Sequence, residues 1–381
     1  RLRKQTVTAF TPNRRGGRNE IRGSCRGLRS RPSRDSRSAG VYFWREKVVR
    51  AVFGLFKGKK TEVKAPTAGN EQPIIDVSAQ LHVVDGVPHF ADEAMRFVVD
   101  SLPHEANDAE VALALTAGAR CWMRELNTQT FGGRLEWGES KRFMLLGDVT
   151  PAQGKAMLAF AESTLTAYER DLDGIMWFGP ASKFPIIALA NDDDYFRYVS
   201  SYYPDGEFAL SSGMFLSRGL GHFVFPATTG WHFEPVVAHE LLHAVVAHLP
   251  LPAWLNEGLA SNAEFRFGAR YQDPRHANDQ LVHHKSYWTA ERLQRYWSGD
   301  AFHDANDGQE LAYDLARRMV LGLSSSQWET MREFILSADA GDAGEDAAHT
   351  HFGFSLAIAA EAVIGLANVP PDASRWDPAA N

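Results

Sequence analysis

The segment Pro235–Ala247 constrains this chain most. It is apolar throughout except for His239, Glu240 and His243. A helix apolar nearly all round has to be buried. Pro235 suits a first helical turn, where its missing N–H would be unsatisfied anyway. Pro250 and Pro252 end the helix, and Pro252 opens a second one carrying Trp254, Leu255, Glu257, Leu259 and Ala260. Two histidines and a glutamate are thus expected among apolar neighbours. Burying them unpaired costs several kcal/mol, so the fold needs something there that pairs with all three.

Residues four apart share one face of a helix. His239 and His243 can therefore aim two imidazoles at a single ion, and Glu257 supplies a carboxylate from the next helix. Two histidines and a glutamate make a one-zinc ligand set with a fourth position left for water. Glu240 lies about 100° round the helix from His239, where it reaches that water without ligating the metal. Zinc lowers the water's pKa and a carboxylate takes its proton. The expected function is a zinc-dependent hydrolase, most readily a metallopeptidase acting on a peptide or protein substrate. The alternatives are a catalytically inactive zinc protein of the same fold, or a nucleic-acid or membrane-surface binder acting through a basic arm.

Val-Ala-His-Glu-Leu-Leu-His followed by Pro-Ala-Trp-Leu-Asn-Glu-Gly-Leu-Ala resembles the gluzincins, the zinc peptidases with two histidines on one helix and a glutamate on the next, and is similar to their peptidase-MA-like members. The resemblance covers about half the chain. It implies His239, His243 and Glu257 as zinc ligands, Glu240 as general base, and a zincin-like catalytic unit. The gluzincin aminopeptidases carry a Gly-x-Met-Glu-Asn strand before the zinc helix, whose Glu grips a substrate's free amino group. Here the place reads Ser212-Gly213-Met214-Phe215-Leu216, without that Glu. The resemblance therefore implies cleavage of internal bonds, or another substrate, rather than aminopeptidase action. It also implies a downstream tyrosine that steadies the oxyanion. Tyr313 is the candidate and His222 the second choice.

The expected fold class is α+β: mainly helical, with a small mixed sheet preceding the zinc helix. Residues 92–127 are helical in pattern with a break at Pro103, and 61–92 extended or irregular. Helices are expected over 151–172, 192–203 (with Asp192 as cap), 309–323 and 327–337. Strands are expected over 142–146, 184–190, 209–216 and 222–225. Residues 211–217 are the candidate edge for an extended substrate. Residues 338–347 read as a loop and 351–367 as a last helical segment. The division expected is a basic arm (1–60), an N-terminal mainly helical region (61–140), the catalytic domain (141–367) and a tail (368–381).

Other polar groups read as less central. Asn262 and Glu264 could orient a ligand histidine, though a solvated helix face accounts for them. His283-His284, His349 and His351 read as surface, and the acidic run Asp300–Asp314 as solvated.

Charge is uneven. Residues 1–40 hold eleven Arg and one Lys against two acids, +10, so with a total of −7 the remainder carries −17. Such an arm, poor in apolar residues, cannot fold alone; it reads as upstream sequence translated in frame or a disordered tail, with no specific nucleic acid expected. Residues 41–60 interleave apolar and basic residues and allow a weak membrane-surface contact, or a short packed helix. Two cysteines, Cys25 and Cys121, give no disulfide framework or cysteine zinc site. With no secretory signal, a cytoplasmic location is expected.

Overall fold

The computed structural model describes residues 75–203, 213–227, 232–268, 274–304 and 307–376. The basic arm and residues 41–60 lie outside them, as does Cys25. The described residues belong to one compact unit, Thr67–Asn381.

The fold is α+β, with twelve α-helices and seven strands among the described residues. Strands β1 (His82–Val84) and β2 (Val87–His89) form a hairpin. Its turn is Asp85-Gly86, both at positive φ (51° and 76°), as a two-residue hairpin turn requires. This stretch was expected to be extended or irregular; the strands are extended, and the hairpin that pairs them was not foreseen. Helices α1 (Asp92–Asp100) and α2 (Asp108–Phe131) follow. Asn107 and Glu110 cap α2 reciprocally.

Then come β3 (Glu136–Glu139), β4 (Phe143–Gly147), α3 (Pro151–Asp171), β5 (Phe184–Leu189), α4 (Asp192–Ser200), β6 (Met214–Leu216) and β7 (His222–Pro226). The cap of α4 is Asn191, one residue before the expected Asp192. The sheet order is β3-β4-β5-β7-β6. β4, β5 and β7 run parallel, while β3 and β6 pair antiparallel at the two edges. This is the expected mixed sheet, with β3 added. Residue 140, expected as a domain boundary, falls between β3 and β4, and residues on both sides of it share the sheet and its core.

The three central strands are buried on both faces, which is why they read as nearly unbroken apolar runs. Alternate residues separate the faces. Met144, Leu146, Ile187, Leu189 and Val224 pack with α1, α2 and α4. Phe143, Leu145, Ile186, Ala188, Phe223 and Phe225 pack with α3 and the C-terminal helices.

Those helices are α5 (Phe233–Val246), α6 (Ala253–Gly268), α7 (Pro274–Tyr287), α8 (Ala290–Ser298), α9 (Asp307–Leu323), α10 (Trp328–Ser337), α11 (Glu345–Phe352) and α12 (Leu356–Ile364). The expected loop 338–347 already contains the start of α11. The expected last helical segment is divided at Gly353 (φ 77°). Residues 368–376, expected as a tail, are tied to α8: Gln294 bonds Pro370 O, Asp372 N and Trp376 Nε1, and Trp297 Nε1 donates to Val369 O. No single helix among the described residues is long and apolar enough to cross a membrane.

Candidate metal centre

Helix α5 carries His239 and His243 with ring centroids 4.8 Å apart. The Pro250/Pro252 connection turns the chain back so that α6 brings Glu257 against both rings. One Glu257 oxygen, Oε2, stands 3.4 Å from His239 Nε2 and 3.4 Å from His243 Nε2. The three side chains are 14, 12 and 20 % exposed, so the cluster opens narrowly to solvent.

The far sides of the rings fix what the near sides offer. His239 Nδ1 lies 3.2 Å from Glu264 Oε2, and His243 Nδ1 lies 3.1 Å from Asn256 Oδ1. Each Nδ1 faces an oxygen acceptor, so each carries a proton there. Each Nε2 of a neutral ring is then a lone pair. Two lone pairs and a carboxylate oxygen converge with no hydrogen to share, and Glu257 Oε2 is buried without a hydrogen-bond partner. Three acceptors facing one another require a cation. Zinc bonds of about 2.0–2.2 Å at tetrahedral angles separate their ligand atoms by about 3.3–3.6 Å; Glu257 Oε2 stands at 3.4 Å from each Nε2, and all three ligand atoms lie within 4.8 Å of one another. The donor set and its geometry fit zinc.

The titration behaviour follows from the same crowding. Burial works against charge on His239, but Glu257, Glu264 and Glu240 outweigh it and hold its pKa well above the usual value. His243 is raised likewise, against burial, by Glu257 and Glu240. Burial would raise Glu257, yet the two imidazoles hold it far below the carboxylate range. Without a metal the site therefore collects protons, the other cation on offer.

Glu240 is 6 % exposed. Burial raises its pKa; the two histidines and the Phe215 N–H pull the other way. It lies where the edge strand meets α5. A Cβ on Gly213 would stand 2.5 Å from Val236 Cγ1 and 3.5 Å from Glu240 Oε1, so only glycine lets the strand pass there. The expected edge is thus β6 with Gly213 before it, whereas 211–212 lie outside the described residues. Phe215, where the aminopeptidases have their Glu, packs against Phe184 (5.9 Å between centroids).

Tyr313 on α9 stands beside the cluster, its ring 6.4 Å from that of His239 and edge-on to Phe302 at 5.2 Å. Burial first, then the Glu257, Glu240 and Glu264 carboxylates, push its pKa far up. The hydroxyl stays protonated and can donate. His222, the second choice, is excluded by its position. It is buried on the opposite face of the sheet, with Nδ1–H donating to Leu220 O and Nε2 accepting from Tyr198 Oη. Strand alternation turned it away from α5.

Two further expectations change. Glu264 belongs to the site, through His239. Asn262 does not: its amide bridges Gly258 O and Arg317 O, tying α6 to α9. Asn256 was missed, although its place directly before Glu257 was a signal. His284 is fully buried rather than on the surface; its Nδ1 accepts from Trp288 Nε1–H and its Nε2–H donates to Asp314. Asp314 is buried too, not solvated, and also accepts from Arg317 and Arg318. Burial would raise its carboxyl, but these partners hold it well below the usual range. His283 is exposed as expected; His349 and His351, also as expected, sit at the periphery, against Glu345 and Ser337. No family model matches the chain, and no curated protein matches it.

Proposed function

We propose that the protein is a zinc-dependent hydrolase of the gluzincin type, cleaving peptide bonds. The observation that carries this reading is Glu257 Oε2 at 3.4 Å from both His239 Nε2 and His243 Nε2, with the buried Glu240 carboxyl on the helix of the two histidines. Bound there, zinc supplies Lewis acidity, polarising a carbonyl and bringing the pKa of water toward neutrality.

The remaining work falls to the protein's own groups. Glu264 and Asn256 hold the ligand rings in the tautomer that offers Nε2. Glu240 takes a proton from the attacking water and returns it to the leaving amine. Its raised pKa suits both halves of that exchange. Tyr313 donates to the oxygen on which charge develops. The element order supports the zincin-like identity: a mixed sheet with an antiparallel edge strand, then α5, α6 and the tyrosine on α9. Phe215 on that edge offers no carboxylate to a free amine, which supports internal cleavage. A merely structural zinc site gains nothing from a buried carboxylate base.

Elemental analysis beside His239→Ala tests the metal. About one zinc per chain, lost in the variant, is expected. N-blocked peptides then test the reaction, with Glu240→Gln as the inactive control. No bound metal after zinc is supplied overturns the reading. Bound zinc without turnover of any peptide leaves the inactive alternative.

A further inference from the structure

Strand β6 touches the catalytic base and then leads directly to a fixed cation. A Cβ on Gly213, just before the strand, would stand 3.5 Å from Glu240 Oε1, and the Phe215 N–H acts to lower the Glu240 pKa. Three residues on, at most about 10 Å along an extended backbone, stands Arg218. The turn that carries it is pinned. Leu220 N donates to Phe90 O at 3.0 Å, and Gly219 (φ +67°) lies so close that a Cβ would collide with the Phe90 carbonyl oxygen.

Within this turn the Arg218 guanidinium is oriented twice. Nη1 donates to Tyr202 O, and Cζ stands 5.3 Å from the centroid of the Tyr203 ring. The residue is nonetheless exposed. Tyr203 is half-buried; burial raises its hydroxyl's pKa, and of the two charges Arg218 lowers it while Glu240 raises it. Among the described residues, the acidic groups acting on the histidine–glutamate cluster and on Tyr313 are Glu240, Glu257 and Glu264. Among the described residues no carboxylate is paired with it, and a pre-oriented, exposed guanidinium at the end of the strand that borders Glu240 is suited to receive one.

We propose that Arg218 is a specificity-determining residue, binding an acidic side chain of the substrate two to four residues from the bond that is cut. The spacing follows from the strand. An extended peptide lying along β6 advances about 3.3 Å per residue, so about three residues separate a group at Glu240 from one at Arg218. The inference rests on the peptidase reading above, and commits it to acidic peptides.

The test compares the zinc-loaded wild type with Arg218→Gln and Arg218→Glu on N-blocked, internally quenched peptides. Each carries Asp or Glu, against Asn or Gln, at one of four positions on either side of the scissile bond. In the wild type kcat/KM favours acid over amide by about three- to tenfold at one position or two neighbouring ones. Arg218→Gln abolishes the preference, bringing kcat/KM for acidic peptides down to that for their amide counterparts in the same variant, and Arg218→Glu reverses it. No preference in the wild type, or an undiminished one in Arg218→Gln, overturns the proposal. So does a fall in Tm with selectivity intact, since Arg218 would then only tie the turn to Tyr202. Binding of the same peptides to the Glu240→Gln protein, read by fluorescence anisotropy, separates the two claims. Tighter binding of the acidic peptides, lost in Glu240→Gln/Arg218→Gln, supports the subsite even where no peptide is cleaved and the hydrolase reading fails. Equal binding of acid and amide peptides overturns the subsite alone.

Discussion

Gly258→Ala sets two physical effects against each other. Gly258 follows the ligand Glu257 in the middle of α6. In a helix interior, alanine is favoured over glycine by about 0.5–1 kcal/mol, so propensity alone makes the variant more stable. Packing says the reverse. A Cβ at this position would lie 2.6 Å from Ala316 O and 2.7 Å from Val320 Cγ2, both on α9. An ordinary contact is about 3.5 Å, so the helices must separate by about 0.8–0.9 Å. The Asn262 amide, bonded to Gly258 O and Arg317 O at 2.7 and 2.8 Å, resists this. Overpacking of this kind costs about 1–3 kcal/mol. The net is a loss of up to about 2.5 kcal/mol, centred on about 1 kcal/mol, or a Tm lower by a few degrees. Because α9 carries Tyr313, the same displacement moves the proposed oxyanion donor away from the histidine–glutamate cluster. Misplacement on this scale costs up to about 100-fold in rate, so kcat should fall by about tenfold or more while zinc stays bound. Calorimetry, elemental analysis and steady-state kinetics read the three quantities separately. A rise in Tm with kcat unchanged would refute the claim that the α6–α9 approach at Gly258 sets the site.

Removing either orienting group, by Asn256→Ala or Glu264→Ala, should weaken zinc about 10–100-fold without unfolding the protein, measured by competition with a chromogenic chelator. Zinc affinity should fall as pH falls, by about tenfold per unit for each proton displaced, because the metal-free site holds protons on His239 and His243. Their pKa values are raised above 6.5. They therefore stabilise the metal-free fold below pH 6.5, and that contribution is lost as pH rises through the raised values. Denaturant titrations of the chelated protein should show stability dropping with rising pH in the wild type and not in His239→Ala/His243→Ala. His89 and His222 have the opposite sign. Burial lowers both from 6.5 to about 4, so the unfolded chain binds protons first. Stability present above about 6.5 should be lost toward pH 4, by at most about 3 kcal/mol for each residue. A flatter acid limb in His89→Gln/His222→Gln checks it.

Much of the fold was legible because it is written in local periods. The runs that became β4, β5 and β7 are apolar and short, and α3 and α9 repeat at helical spacing. The residues of the cluster were legible for the same reason, since the four-residue step from His239 to His243 is a property of one helix. What escaped was of two kinds. Strand β3 and the β1–β2 hairpin are short and half exposed, too brief for periodicity to register, although Asp85-Gly86 was a turn signal in plain view. The other misses join residues distant in sequence. His284 meets Asp314 thirty residues away, and His239 meets Glu264 across twenty-five. Those meetings depend on how α7 crosses α9 and α5 crosses α6. No single helix's pattern contains a crossing.

His222 shows the converse. A histidine on a strand ahead of the zinc helix has the right chemistry, but strand alternation assigns it to one face or the other, and only the β7 register with β5 and β6 fixed which. Burial, by contrast, could be argued at both levels. From the sequence, three polar groups in apolar helices demanded a partner; in the folded chain, Glu257 Oε2 lies buried without a hydrogen bond, 3.4 Å from two imidazole nitrogens. These are one statement about desolvation, made first of residues and then of atoms. A polar group whose cost of burial is not met by the chain itself marks the place where the chain expects something else. Arg218 differs because its charge is exposed and costs little to leave unpaired. For that reason only substrate selectivity, and not stability, can test what it is for.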